Sequence, residues 1–308
     1  MSELFIELFS EEIPPNLQIN AKKQLEKLIS ESLLSLNLKY KNLNVYSTPT
    51  RLTFFVSNLP NKIKIPPHEV KGPKVGVTEN VVQNFAKSKN INTSDLYEKK
   101  LDKGSFYFAK IKGREIQTAD ELAQSIPKFL SEISWKKSMK WSDHKLNWGR
   151  PLRSILSLFD DKHLKFSFEH LNSVNFTLIE EYSELKPKKI QNFNQYQEIL
   201  KKNEIVLDNE ERLKIISQKI YSICRSKSCK EHIDQPLLVE VSNLVDKPRV
   251  IVAKFDKFYL DLPKEIIKST LQSHQRYFTL IDHRDRMSNE FIIVTNNSDE
   301  KKLIKLGN

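Results

Sequence analysis

Two cysteines and a histidine stand at a spacing that could begin a metal site. Cys224, Cys229 and His232 form the pattern C-x4-C-x2-H. A structural zinc ion takes about four protein ligands, and no fourth cysteine or histidine stands near these three. Because the ligand set is incomplete, two reduced cysteines are the favoured interpretation. We predict no metal site on this chain.

The acidic pair Glu11 and Glu12 is the other feature that could do chemistry. Pro14 and Pro15 follow it, so we expect the pair at the start of a helix, where carboxylates interact favourably with the helix dipole. A catalytic acid–base pair is the less favoured alternative. The sequence contains none of the patterns G-x-G-x-x-G, G-x-x-x-x-G-K-[ST], G-x-S-x-G, H-I-G-H or K-M-S-K-S. We therefore predict no catalytic residue and no cofactor on this chain.

A stretch of cations and tryptophans between residues 135 and 153 has the composition of an RNA-binding surface. Its candidate RNA- or partner-binding residues are Lys136, Lys137, Lys140, Arg150 and Arg153, interleaved with Trp135, Trp141 and Trp148. Cations can follow phosphates while aromatic rings stack on unpaired bases. The alternative is that the tryptophans lie in the core and the lysines are merely solvated. That alternative is favoured for the tryptophans, and both interpretations stay open for the two arginines.

Arg51, Lys71 and Lys74 form a second candidate group. The string Lys71-Gly72-Pro73-Lys74 predicts a basic turn, and turns carry binding contacts more often than cores do. An ordinary solvated loop is the favoured alternative.

The third candidate group is His274, Gln275, Arg276 and Tyr277, at the predicted end of a helix that begins at Pro263. Cations at a helix end offset the negative end of its dipole, which is a structural reason for the group. A guanidinium facing a phosphate or a carboxylate of a partner is the functional reason. The two interpretations have equal weight.

The whole chain is basic, with a formal net charge of +11 and a pI near 9.3. Such a charge suits a polyanionic partner. The alternative is genome composition, because lysine, asparagine and isoleucine rise together in AT-rich genomes. The sequence shows neither a signal peptide nor an apolar run long enough for a membrane span, so we expect a cytoplasmic protein without membrane contact.

The predicted elements alternate between strands and helices without the regular spacing of a doubly wound sheet. A strand at Leu4–Phe9 precedes a helix that Asn16 caps, and Ile63–Gly76 is a proline-rich, non-helical link. We predict an α+β fold with mixed or antiparallel sheets and flanking helices. The predicted regions are a β-α-β-β unit at 1–62, a basic mixed region at 63–175, and an α+β region at 176–308 that packs back on the first.

Several blocks in order resemble the β subunits of bacterial two-subunit glycyl-tRNA synthetases. The blocks are Ser10–Pro15 (SEEIPP), Thr48–Pro60, Lys71–Pro73 (KGP), Met139–Phe159, Phe255–Phe278 and Phe291–Asn297 (FIIVTNN). The segment LPKEIIKSTLQSHQRYF within the fifth block carries the resemblance most clearly. The chain departs from the family pattern at Asn175–Tyr182, at Ser154, where the family has tryptophan, and in the stretch SWKKSMKW.

The resemblance implies a non-catalytic subunit of a glycine–tRNA ligase. The family's α subunit holds the class II catalytic site with its glycine, ATP and magnesium. The β subunit binds tRNA(Gly) and assembles with α as an α2β2 heterotetramer. The resemblance also implies a region similar to the B3/B4 domain of phenylalanyl-tRNA synthetase, and an anticodon-binding region beyond this stretch of sequence. The alternatives are a B3/B4-like editing deacylase and an assembly module without RNA contact.

Overall fold

The computed structural model describes residues 2–102, 104–181 and 184–296. Within them the helices are α1 (Pro15–Ser35), α2 (Glu79–Ser88), α3 (Thr118–Ser131), α4 (Phe193–Lys202), α5 (Asn209–Ser226), α6 (Gln235–Ser242) and α7 (Lys264–Lys268). The strands are β1 (Ser2–Ser10), β2 (Asn42–Ser47), β3 (Arg51–Leu59), β4 (Lys62–Ile65), β5 (His68–Lys74), β6 (Leu96–Leu101), β7 (Gly104–Ile111), β8 (Arg114–Gln117), β9 (Leu152–Phe159), β10 (Lys162–His163), β11 (Ser167–Phe168), β12 (Leu171–Asn172), β13 (Phe176–Glu181), β14 (Glu184–Lys189), β15 (Arg249–Lys254), β16 (Phe278–Ile281) and β17 (Met287–Thr295). Helices and antiparallel sheets of this kind confirm the α+β fold.

The chain divides by its internal contacts into two units. The larger unit comprises the described residues up to Leu59 and from Ala123 onward, and the smaller unit is Pro60–Leu122. The three regions predicted from the sequence, 1–62, 63–175 and 176–308, stay predictions as domains. Tyr182 and Asn297, the last residues of two sequence blocks considered above, lie outside the described residues.

A five-stranded antiparallel sheet with the order β10-β9-β1-β3-β2 organises the larger unit. Strand β1 confirms the strand predicted at Leu4–Phe9, and it pairs with β3 on one side and β9 on the other. Both of its faces are covered, so the residues of β1 are buried from Leu4 to Ser10, including the charged Glu7. A buried carboxylate in a central strand needs internal partners, which are described below.

Helix α1 follows β1 directly. The predicted cap is wrong, because the helix begins at Pro15, with Pro14 at the cap position and Asn16 inside the first turn. Proline suits this place, since its fixed φ is helical and the first turn has no partner for the missing N–H. The predicted end of the helix near Leu36 is confirmed.

Two further layers complete the larger unit. Helix α4 places Phe193 and Tyr196 against Phe5 of β1, with ring centroids 5.1 and 4.7 Å from that of Phe5. Helices α5 and α6 pack on the sheet β15-β17-β16 around a second apolar core. The residues of this core come from distant parts of the chain, from Ile216 on α5 to Ile292 on β17.

The smaller unit contains the sheets β5-β7-β6 and β4-β8 together with α2. The predicted absence of helix at Ile63–Gly76 is confirmed. The predicted basic turn at Lys71–Lys74 is wrong, because these residues end strand β5. The pairing of β5 with β7 shifts register between Lys71 and Lys74. A bulge at this point accommodates Pro73, which has no N–H to give to the ladder.

None of the helices in the described ranges has the length and apolarity needed to cross a bilayer.

Candidate nucleic-acid interface

The stretch between α3 and β9, residues 132–151, is held in place by Trp148. Its side chain is 1% exposed, and its ring lies 5.0 Å from that of Trp135 and 5.8 Å from that of Phe168 between centroids. A short antiparallel bridge joins the backbones of Met139 and Trp148 through two hydrogen bonds of 2.9 and 3.2 Å. The core interpretation is therefore confirmed for Trp148, whereas Trp135 and Trp141 are half-buried.

Gly149 allows the close packing of the two neighbouring tryptophans. A Cβ atom at this position would lie 2.4 Å from Cε3 of Trp135, which is closer than non-bonded carbon atoms approach. The indole ring occupies the space that any other residue would need. The glycine thus lets the Trp135 ring pack directly against the backbone beside Trp148.

The cations of this stretch differ in their surroundings. Lys136, Lys137 and Lys140 are exposed, and none of them forms an ion pair with any residue in the described ranges. Arg150 is half-buried and donates from Nη1 to the carbonyl of Gly149 at 2.7 Å. Arg153, on β9, pairs with Glu11 at 3.1 Å, where both side chains are about half exposed. The three lysines are thus available to an external anion, while the arginines have internal partners.

Three rings form a partly exposed cluster, whose Trp141 directly follows Lys140 in the chain. His144 and His170 stack with centroids 3.6 Å apart and planes 2° apart, and Trp141 meets both rings edge-on at 6.4 and 5.8 Å. Burial of the His170 ring, and then the proximity of His144, lower the pKa of His170. A stack of two imidazole rings beside an indole is a surface on which a base can stack.

Sequence reasoning missed the two histidines of this cluster. His170 lies at the turn between β11 and β12, so only the folded chain brings it to His144. The local spacing around Trp141 contained His144 but gave no signal for His170.

The structure places Arg51 in the interior of the larger unit. Its Nε donates to Glu7 at 3.2 Å, Nη1 to Asp246 at 3.5 Å and Nη2 to the carbonyl of Leu178 at 2.7 Å. The Arg51 side chain is 3% exposed and that of Glu7 is 1% exposed. The guanidinium is thus occupied by internal partners, and it belongs to a different unit from Lys71 and Lys74.

Lys71 and Lys74 are exposed on β5 of the smaller unit. The Nζ atom of Lys71 lies 3.6 Å from the centroid of the Phe106 ring, a favourable cation–π distance.

The group His274–Tyr277 follows a helix, as predicted, and the helix has an unusual end. Helix α7 continues into a π-helical turn at Ser269–His274, a rare conformation that is often found at functional sites. Arg276 then adopts a positive φ of 62° and donates from Nε to Glu240 at 2.8 Å. Tyr277 stacks on Phe291 at 5.2 Å, whereas His274 and Gln275 are exposed.

The cysteines are buried in the core between α5 and the sheet β15-β17-β16. Burial raises the pKa of both the Cys224 and the Cys229 thiol, which keeps them protonated and unreactive at neutral pH. In the parts of the chain that the structure describes, no group of three or more metal-ligating side chains comes together.

Comparison with known proteins gives one consistent family. The family described as "Glycyl-tRNA synthetase beta subunit" matches residues 4–308. The glycine--tRNA ligase beta subunits of Rickettsia felis and Rickettsia canadensis each share 32% identity with this chain, and that of Rickettsia conorii shares 33%. Each of these matches covers 96% of the chain. The chain spans about 45% of the length of these relatives. On these matches the chain belongs to the glycyl-tRNA synthetase beta subunit family.

Proposed function

We propose that this chain is the N-terminal region of a non-catalytic β subunit that binds tRNA(Gly) and holds the catalytic α subunit. In this role it supports the ATP-dependent attachment of glycine to tRNA in the cytoplasm. Glycine, ATP and magnesium are bound by the α subunit, within an α2β2 heterotetramer. The name of the relatives, a beta subunit of a ligase, supports an α partner for this chain too.

The observation that carries the RNA contact is the basic stretch anchored by Trp148. Three exposed lysines, Lys136, Lys137 and Lys140, have no acidic partners among the described residues. In the chain they directly precede Trp141, which forms a ring cluster with His144 and His170. Cations that neutralise phosphates displace the counterions condensed on the RNA, and this release drives binding. Rings beside them add stacking on unpaired bases. The rigid anchor lowers the entropic cost of presenting these groups.

Binding of a tRNA(Gly) transcript at several salt concentrations tests this contact. We expect the affinity to fall steeply with salt. We expect the triple variant Lys136→Gln/Lys137→Gln/Lys140→Gln to reduce the slope of log K against log[salt] by about 2.1–2.7, because three phosphate contacts are lost at roughly 0.7–0.9 each. The matched control is Lys23→Gln/Lys39→Gln/Lys41→Gln, which removes three exposed lysines from the same unit and should leave the slope unchanged.

Reconstitution tests the ligase role. Full-length β subunit with α should charge tRNA with glycine, and α alone should be nearly inactive. Equal activity of α alone would contradict the proposal. RNA binding that does not respond to salt would instead favour an assembly module without direct phosphate contacts. Neither that alternative nor an editing deacylase has a described side-chain cluster in its favour.

A further inference from the structure

The smaller unit contains a cleft with a volume of about 880 Å³. The cleft is separate from the basic stretch proposed above to bind tRNA. Its walls come from the start of β5, the connection from β7 to β8, and the chain that leaves α2. All of its lining residues belong to the smaller unit, so the cleft is complete without any other part of the chain.

The cleft follows from how two strand pairs meet. Ile65 pairs with Arg114 in the β4-β8 ladder, and His68 pairs with Ile111 in the β5-β7 ladder. Gly113 lies between them, where a Cβ atom would be 2.9 Å from the carbonyl oxygen of Ile65. The absence of a side chain there lets the two ladders approach. Lys112 and Arg114, on either side of this glycine, both line the cleft.

Another part of the lining is the segment after α2. Asn90 has a φ of 53°, a left-handed conformation that asparagine tolerates and that ends the helix. Lys89 comes immediately before it and lines the cleft. The backbone then turns through Asn92, whose N–H donates to the carboxylate of Asp95 at 3.4 Å.

The charge of the lining is strongly positive. Its four cations are Lys89, Lys110, Lys112 and Arg114, all of them exposed, and its only carboxylate is that of Asp95. Within the described ranges none of the four cations forms an ion pair, although Lys110 lies 5.8 Å from the Tyr97 ring. Positive charges around a concavity reinforce one another and focus the potential inside it.

Apolar groups lie between the charges, and they indicate the kind of anion. Ile65, Val70, Ile91 and Ile111 also line the cleft. A hydrated inorganic phosphate gains nothing from such side chains, whereas ribose and base edges can cover them. The volume is in the range of sites for nucleotide-sized ligands, much larger than a phosphate ion needs.

We propose that this cleft of the smaller unit binds the phosphate–ribose backbone of RNA, as a second contact separate from the basic stretch of the larger unit. It rests on the proposed tRNA-binding function for the identity of the RNA. Four cations of the lining contact phosphates: Lys110 at the end of β7, Lys112 in the β7–β8 connection, Arg114 at the start of β8, and Lys89 just after α2. Ribose and base edges cover the isoleucine and valine side chains between them.

The experiment measures the affinity of the double variant Lys112→Gln/Arg114→Gln for tRNA(Gly) at several salt concentrations. The expected result is a decrease of about 1.5 in the slope of log K against log[salt] relative to the unaltered chain, from two lost phosphate contacts. The matched control is Lys87→Gln/Lys100→Gln, which removes two exposed lysines of the same unit that do not line the cleft. A second cleft pair, Lys89→Gln/Lys110→Gln, should reproduce the effect. Unchanged thermal unfolding of all three variants shows that the fold is retained.

The outcomes separate this inference from the proposed function. If the unaltered chain binds tRNA with a steep salt dependence and both cleft variants keep that slope, the cleft inference is overturned and the tRNA-binding proposal stands. If the unaltered chain shows no salt-sensitive binding, both are overturned. Calorimetry with inorganic phosphate and with ATP tests whether the cleft binds a small phosphate-containing ligand instead of RNA. Saturable binding of either, lost in the cleft variants without a change in tRNA slope, would overturn the RNA assignment.

Discussion

Arg51 and Glu7 form a buried ion pair across β3 and β1, with Nε of Arg51 3.2 Å from the Glu7 carboxylate. Glu7 also accepts hydrogen bonds from Tyr196 at 2.6 Å and from Thr177 at 2.7 Å. Burial and the nearby Glu7 charge raise the pKa of Tyr196 well above its ordinary value, so its hydroxyl stays a donor. The carboxylate thus has three donors, and Arg51 links it to Asp246 far along the chain.

Replacing Arg51 by methionine should destabilise the protein by about 3–5 kcal/mol, because the Glu7 charge would be left buried without its cation. Urea unfolding measures the loss. The control is Arg153→Met, which removes a half-exposed pair with Glu11 and should cost about 0–1 kcal/mol. Equal losses for the two variants would show that burial does not decide the strength of the Arg51 pair.

Arg212 joins separate parts of the larger unit through backbone carbonyls alone. It is fully buried and donates to the carbonyls of Val206, Leu207, Ser242 and Ser47 at 2.8–3.0 Å. Burial lowers the pKa of its guanidinium to about 10, which leaves it charged at neutral pH.

Substitution Arg212→Lys keeps the charge but removes the planar fork that reaches four acceptors. We expect a loss of about 2–3 kcal/mol in the free energy of unfolding, since buried carbonyls would lose a charged donor. The exposed Arg225, paired with Glu231, provides the control Arg225→Lys, which should change stability little. A similar small change for Arg212→Lys would contradict this account.

The glycine beside Trp148 gives a prediction that links packing to RNA binding. Gly149→Ala would push a methyl group into the Trp135 ring, and overpacking of this kind costs about 1–3 kcal/mol. Because the ring helps to fix the basic stretch, tRNA affinity should fall in the same variant. Asn147→Ala, at an exposed neighbouring position, should change neither quantity. Loss of stability without loss of affinity would separate the packing from the RNA contact.

The sequence alone could predict the elements whose signals are local. The apolar run of β1 and the Pro14–Pro15 start of α1 are local signals, and both were placed within one or two residues. The position of Arg51 could not be predicted, because Glu7, Leu178 and Asp246 meet it only in the folded chain. An arginine in a strand-like sequence gives no sign of whether a carboxylate of the neighbouring strand will lie beside it.

The same limit applies to the candidate interface. Trp148 was predicted as core from residue type, while the stacked partner of His144 comes from a distant hairpin. The turn predicted at Lys71–Lys74 is wrong because glycine and proline, which usually indicate a turn, here occupy a bulge in a strand. Gly113 carries no local signal for the cleft, since its role depends on the approach of the Ile65 carbonyl.

The stacked histidines predict a pH response with a definite sign. The pKa of His170 is lowered in the folded chain, first by burial and then by His144. Between that lowered value and about 6.5, the ordinary value in the unfolded chain, the unfolded state binds a proton that the folded state does not. His170 therefore reduces stability as pH falls through this window and has no effect above it.

Variants of His144 and of Glu169 should shift the pKa of His170 in opposite directions. NMR titration of the imidazole protons measures this pKa. His144→Ala removes both the covering ring and a like charge, so the pKa of His170 should rise. Glu169→Gln removes a carboxylate that raises the pKa, so it should fall further. Shifts of the same sign in both variants would contradict the electrostatic account. If the ring cluster contacts tRNA as proposed, bound phosphates should favour the protonated imidazole, and the pKa of His170 should be higher in the complex.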